Sequence, residues 1–456
     1  MTSDPIADLV RHVVESRYED LPGAAVQAAR NLLLDTLGNG VAGAAAPAVA
    51  PAHAALAGGD CGTAAQVWGR RDRLSAQAAA LVNAYQIHAL EYDCVHERAV
   101  LHPLTPLTAA LLADAERLER VSGRDLLAAL ILGVDVSCNI ALASTVASPF
   151  FRTGSAAAFG ATAACARLRG FDADTMVSAL GLVYEQSGSA RQAHTEGTSI
   201  MGLLAGFAAR NALAACDLAE RGVQGPVNVL DGPYGYLNLY EGQHEWAPVW
   251  ASLGRRYRIT EVAQKPYPAG RPTHMFVDAA QALGQEHGIS AADVVNGVCR
   301  MPPTVKALVG RPYGDDATPN YLKLCTPYCV AAALTGGTLS QTDFTPEACQ
   351  RPAVADLAKR LQVEADDNPD PNAMSPATLI LTLKNGTVLE HTVRYALGHP
   401  KNPMTRAQRL EKFWLCWNLA DPSPGEARGQ TLIERIDGLE NLAAAGELID
   451  LLRIEI

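Results

Sequence analysis

Through the first 260 or so positions, apolar residues fill long windows in which Ala and Leu dominate and runs of β-branched residues are few. Windows of that length and composition read as buried helices, because Ala and Leu favour the helix and strands seldom run so long. The pattern predicts helices over 24–41, 76–90, 104–118, 123–143 and 156–168. Asp4 is placed to cap the first helix and Ser122 to open another, since a short side-chain oxygen can accept from the unpaired N–H groups of a first turn. Abundant small residues allow close helix packing. The texture changes near Ala263: residues 265–274 read KPYPAGRPTH, with three prolines and a glycine in ten positions, and no continuous helix can pass through. Beyond it the reading alternates. Helices are expected over 275–287, 326–334 and 353–360, and strands over 295–301 and 361–365. A hairpin over 378–394 turns at Asn385-Gly386, a strong turn signal. The tail returns to helix over 405–417 and 432–452.

The expected fold class is therefore mainly α. A large all-helical domain is built from both chain ends, 1–267 and 401–456, with a smaller α+β domain inserted at 268–400. The length of 456 residues suits two or three domains. Apolar residues make up 48 %, enough for large cores. The net charge of −11 argues against nucleic acid as a partner, which would require a basic face. No secretory signal and no long uninterrupted apolar run is read, so no membrane partner is expected. Ten cysteines are scattered without a CxxC pair, and Cys325 and Cys329 are spaced for one helix face. Reduced thiols in a cytoplasmic protein are the expectation.

Two stretches could carry chemistry. Residues 88–103, HALEYDCVHERAVLHP, hold three histidines, three acidic residues and an arginine. Imidazoles and carboxylates crowded into a turn shift one another's proton affinities, which suits proton transfer; a solvated loop is the plain alternative. A metal site using His96 and His102 with Glu91 or Asp93 fits no ligand spacing on one helix face, so no metal is expected. In 265–274, Lys265 and Arg271 could meet a carboxylate, and His274 opens a helix whose positive end favours a neutral imidazole. A rigid hinge is the alternative there. There is no dinucleotide fingerprint, phosphate loop or nucleophile elbow.

These two stretches resemble signatures of the MmgE/PrpD family, which includes 2-methylcitrate dehydratase, cis-aconitate decarboxylase and iminodisuccinate epimerase. LLLDTLG at 32–38, CTPYCVAAAL at 325–334 and GHPKNPM at 398–404 resemble further family segments in the same order. The resemblance implies a helical domain with a lid, a homodimer, a site between the domains, and cofactor-independent chemistry on small di- or tricarboxylates. It implies catalytic roles for His102, Lys265, His274, Glu91 and Asp93, and substrate binding by Arg271 and Tyr267; His96, in the first polar stretch, and Arg152, which could line a pocket, are further substrate-binding candidates. Glu91 stands where the family usually has Asp, and Cys94 replaces the following Asp. Phe151 replaces a family His, Met201 a Lys and Leu204 a His. Losing three polar groups lowers the positive charge available to a tricarboxylate. A dehydratase-like lyase abstracting a proton α to a carboxylate is the expected activity. An epimerase-type isomerase and a non-catalytic acid-binding protein remain the alternatives.

Overall fold

A computed structural model describes residues 4–118, 120–370 and 372–454. The chain forms two compact units, each with its own hydrophobic core. The first comprises Met1–Arg191, Ile200–Val262 and Thr405–Ile456, and the second Gln192–Ser199 and Ala263–Met404. Residues 263–267 and 401–404, expected in the helical part, thus group with the second unit, as does the short 192–199 segment.

The first unit is helical apart from a two-stranded ribbon, β1 (Ala65–Gln66) and β2 (Arg73–Leu74), that the Ala-rich texture did not announce. The expected helices form as Gly23–Gly43, Ala76–Ala89, Leu104–Ala115, Gly123–Leu142 and Ala156–Leu168. Ser122 and Asp125 make a reciprocal capping box at the start of the fourth. The Asp4 carboxylate accepts from the Ile6 N–H at 2.9 Å. Gly123–Leu142 is long and apolar enough to cross a membrane by length and composition, and most of it is packed inside the unit. Residues 221–262 hold short turns, among them a π-helical stretch at Leu237–Glu241. One expectation of continuous helix fails. The tail breaks into Glu426–Asp437, a 3-10 turn at Leu439–Asn441 and Gly446–Leu451, with Gly438 at the first break. All ten cysteines carry free thiols, and all but Cys61 are buried.

In the second unit β3 (Val294–Met301), β4 (Leu361–Ala365), β5 (Ala377–Leu383) and β6 (Val388–Val393) form one sheet in the order β4-β3-β5-β6. The β3–β4 pair is parallel and the others antiparallel. Strand β5 buries Ala377, Leu379, Leu381 and Leu383 on one face, the period-two pattern of a half-covered sheet. The helix His274–His287 packs against β5 and β6. Ahead of it, the 265–274 turn is stitched to the 396–402 segment: Gln264 N–H donates to the Gly398 carbonyl at 2.9 Å. Gly398 has φ +87°, and a Cβ there would lie 2.2 Å from the Gln264 oxygen. Gly398→Ala is expected to destabilise this unit by about 2–3 kcal/mol, combining left-handed strain with a backbone clash. A lower thermal midpoint checks it, and an unchanged one counts against the stitch.

Candidate active site

The 88–103 stretch begins on the last turn of the Ala76–Ala89 helix and ends where Leu104–Ala115 starts. It is therefore anchored at both ends by buried helices; His88, Asp93, His96 and His102 are buried, Glu91 and Glu97 are partly buried, and Arg98 is exposed. Asp93 is fully buried, and its Oδ2 is the hub. His88 Nδ1 lies 2.9 Å away, His102 Nδ1 3.1 Å, and Thr105 Oγ1 donates at 2.5 Å. Burial alone would raise this carboxyl, but His102 and His88 outweigh it and hold Asp93 well below the usual carboxylate range. Asp93 is therefore an anion with donors on one oxygen.

His102 Nδ1 also lies 2.9 Å from the Cys94 carbonyl. A carbonyl only accepts, so the proton is on Nδ1 and the lone pair on Nε2. Among the described residues no hydrogen bond reaches that Nε2, and His102 keeps 9 % exposure. The main-chain N–H of His102 donates to Thr153 Oγ1 at 3.0 Å. The arrangement is a carboxylate-backed imidazole with its basic nitrogen outward. The His88 and His102 rings meet edge to face at 4.9 Å. Phe151, at the position where the resembling family has a histidine, sits 5.8 Å from the His88 ring. Glu91 Oε2 lies 3.6 Å from His88 Nε2.

The loop is strained. Glu91 has φ +55° and Val100 φ +50°. Such angles in residues with a Cβ cost about 1–3 kcal/mol each and persist only where the surroundings impose them. His88, Asp93 and His102 also form a compact set of atoms of metal-ligand type. His102 Nδ1, 3.1 Å from Asp93 Oδ2, faces the Cys94 carbonyl as a donor, so that nitrogen has no lone pair to offer a cation.

His96 and Arg152, expected at the substrate, have other partners here. His96 Nδ1 accepts from the Ala99 N–H at 3.1 Å, leaving Nε2–H to donate to Glu261 Oε2 at 3.1 Å. Burial would raise Glu261, but His96 and then Arg258 and Arg256 overcome it and hold its carboxyl at about 2. A carboxyl lowered in the fold adds stability above its unfolded value near 4.3, and that stability is lost as pH falls through about 2. Glu261→Gln is expected to flatten the fall in thermal midpoint between pH 4.3 and 2; an equally steep fall in the variant would sink this assignment. Arg152 is buried against Glu241, with Nη2 2.6 Å from Oε2 and Nε 3.0 Å from Oε1. Its Nη1 donates to the Ala99 carbonyl at 3.0 Å.

In the second unit Lys265, Arg271 and His274 are buried. Arg271 donates to the main-chain carbonyls of Leu397 (2.7 Å), Ala396 (3.1 Å) and Gln264 (3.2 Å). It also lies 3.3 Å from His274 Nδ1. A guanidinium has no lone pair to share, so Nδ1 accepts and His274 Nε2–H donates to the Ala269 carbonyl at 3.1 Å. The Tyr267 hydroxyl lies 2.6 Å from Gln281 Oε1 and 2.9 Å from Asp278 Oδ1, and burial pushes its pKa up. Arg271, His274 and Tyr267 thus brace the proline-rich turn.

Sequence reasoning placed no role on His88, Thr105, Asp35, Glu241 or Lys412. Lys412 carried a readable signal: it shares the buried face of the Arg406–Leu419 helix with Phe413, Cys416 and Trp417, where a lysine requires a partner.

Models of the MmgE/PrpD N-terminal domain and the MmgE/PrpD C-terminal domain match residues 7–249 and 267–437. The chain belongs to the MmgE/PrpD family. A cis-aconitate decarboxylase-like protein of Aspergillus oryzae is 28 % identical over 99 % of this chain and 97 % of its own length. The cis-aconitate decarboxylase of Mus musculus is 26 % identical over 95 % of this chain and 91 % of its own. The 2-methylcitrate dehydratase of Cupriavidus necator is 27 % identical over 95 % and 93 %.

Proposed function

We propose that this protein is a lyase that abstracts a proton α to a carboxylate of a small tri- or dicarboxylic acid, with His102 as the base. The observation that carries the reading is the Asp93–His102 pair: a proton fixed on Nδ1, a lone pair on Nε2, and a buried anion behind the ring to stabilise the imidazolium formed. On a β-hydroxy acid such as 2-methylcitrate the proton from the α carbon goes to Nε2, the carbon–hydrogen electrons form the new double bond, and the hydroxyl leaves with its own bonding pair; on cis-aconitate the carbon–carbon bonding pair stays with the skeleton as CO2 leaves, the double bond shifts by one position, and protonated His102 gives its Nε2 proton to the carbon at the far end. Glu91 acts through His88. Lys265 supplies positive charge for a substrate carboxylate, and Arg271, His274 and Tyr267 hold the turn that carries it. Relatives named decarboxylase and dehydratase over nearly their full lengths support elimination on such acids. The protein works without a cofactor, as a homodimer in the cytoplasm.

A second reading, an epimerase, is favoured by Phe151. A phenyl ring beside His88 cannot protonate a leaving group, whereas proton removal and return at one carbon needs no leaving group. Proton NMR in D2O with cis-aconitate, 2-methylcitrate and iminodisuccinate separates the two. New vinyl signals from cis-aconitate, or an olefinic methyl signal from 2-methylcitrate, are expected. Deuterium entering an α position without loss of water or CO2 would replace the lyase with the epimerase, and silence across all three would favour an acid-binding protein without turnover.

A further inference from the structure

We propose that two buried ion pairs, Asp35–Lys412 and Glu241–Arg152, are clamps that hold the strained 91–102 loop so that Asp93 and His102 stay in register; Lys412 and Arg152 are positioning residues. The inference rests on His102 being the base. The pairs come from separate parts of the first unit and are built alike. Lys412 Nζ lies 2.7 Å from Asp35 Oδ1, both side chains being under 5 % exposed. Its next hydrogen bond goes to the Tyr92 carbonyl at 2.8 Å. Asn39 Nδ2, which also reaches Asp35, donates to the same carbonyl at 3.2 Å. The ammonium lies 4.3 Å from the Tyr92 ring centroid. Three contacts thus converge on the residue between strained Glu91 and the hub Asp93.

The second pair repeats the plan at the other end of the loop. Arg152 is held by Glu241, and its remaining nitrogen takes the Ala99 carbonyl, next to strained Val100. Thr153, the following residue, receives the His102 N–H. Glu241 is itself fixed by the Tyr236 hydroxyl at 2.9 Å. A buried ion pair is seldom a gain in stability over apolar residues of equal volume. What a cation held by a buried carboxylate does provide is a donor that cannot swing away from its second target. Here both second targets are carbonyls adjoining left-handed residues of the loop that bears the base.

The test is the double variant Asp35→Asn/Lys412→Met, which removes both charges and leaves no buried ion unpaired. Imidazole 15N NMR follows the Nδ1–H of His102, assigned by its loss in His102→Gln. The clamp predicts a thermal midpoint close to that of the parent, loss of the fixed Nδ1–H signal, and a fall of tenfold or more in kcat on cis-aconitate with little change in KM. A pair that serves folding alone would lower the midpoint and leave the His102 signal intact, which overturns the proposal. Arg152→Lys tests the other end should the first variant fail to fold. Its ammonium keeps the charge beside Glu241 but lacks the fork that reaches Ala99, and the same loss of signal is expected. If the parent leaves both cis-aconitate and 2-methylcitrate untouched, the lyase reading fails while the NMR signal still decides the clamps.

Discussion

His102→Gln is expected to reduce turnover of cis-aconitate or 2-methylcitrate by about 10²–10⁴-fold while the protein remains folded. Glutamine has an amide N–H that can take over donation to the Cys94 carbonyl, so the main structural contact of the ring survives in part. The main-chain bond to Thr153 is untouched. What disappears is the basic nitrogen. A thermal midpoint within a few degrees of the parent, together with loss of both elimination and α-deuterium exchange, is the expected pair of results. Exchange that persists at the parent rate would remove His102 as the base and turn attention to His274.

Asp93→Asn is expected to be the most damaging single substitution in the loop. The carboxylate oxygen now faces two imidazole Nδ1 atoms and the Thr105 hydroxyl. An amide of the same shape offers one accepting oxygen and one donating NH2 group. With its oxygen kept at the hub, the amide places the NH2 where Oδ1 now lies, inside a fully buried site. A buried donor left without an acceptor costs about 1–3 kcal/mol, and loss of the buried anion removes the stabilisation of both imidazoles. We expect a stability loss of about 2–4 kcal/mol by urea titration. A kcat reduction comparable to that of His102→Gln should accompany it, because the imidazolium formed at His102 loses the anion behind its ring. Retention of both parent stability and parent kcat would contradict the hub assignment.

The long helices were legible because burial on all sides demands continuous apolar sequence, and 123–143 or 156–168 admits no other reading. The β5–β6 hairpin was legible because Asn385-Gly386 leaves the chain one economical way to turn; Gly386 has φ +83°. Asp93 and His102 could be singled out because acidic and imidazole groups lie close in sequence. Partners distant in sequence could not be read. Nothing near Arg152 announces Glu241, 89 residues further on, and without that partner an arginine beside a reactive loop looks like a substrate anchor. The partners of Arg271 were equally hidden: its guanidinium meets the carbonyls of 396–397 across more than a hundred residues. The break at Gly438 within the tail was masked by Leu and Ile on both sides, since composition shows an apolar face but not where a helix must bend around its neighbours.

The Tyr92 carbonyl and Lys412 are separated by 320 residues. On the ribosome the loop emerges well before the ammonium that grips it. At ordinary elongation rates the interval is roughly 15–60 s. Throughout that time Asp35 has no Lys412 beside it, and the first unit lacks its 405–456 segment. The inserted second unit, with a core of its own, can fold in the meantime. The nascent chain therefore holds the 88–103 loop without its Lys412 contacts until residue 412 has been made, and a chain truncated before that residue would carry every residue of the loop yet lack the hydrogen bond from Lys412 to the Tyr92 carbonyl.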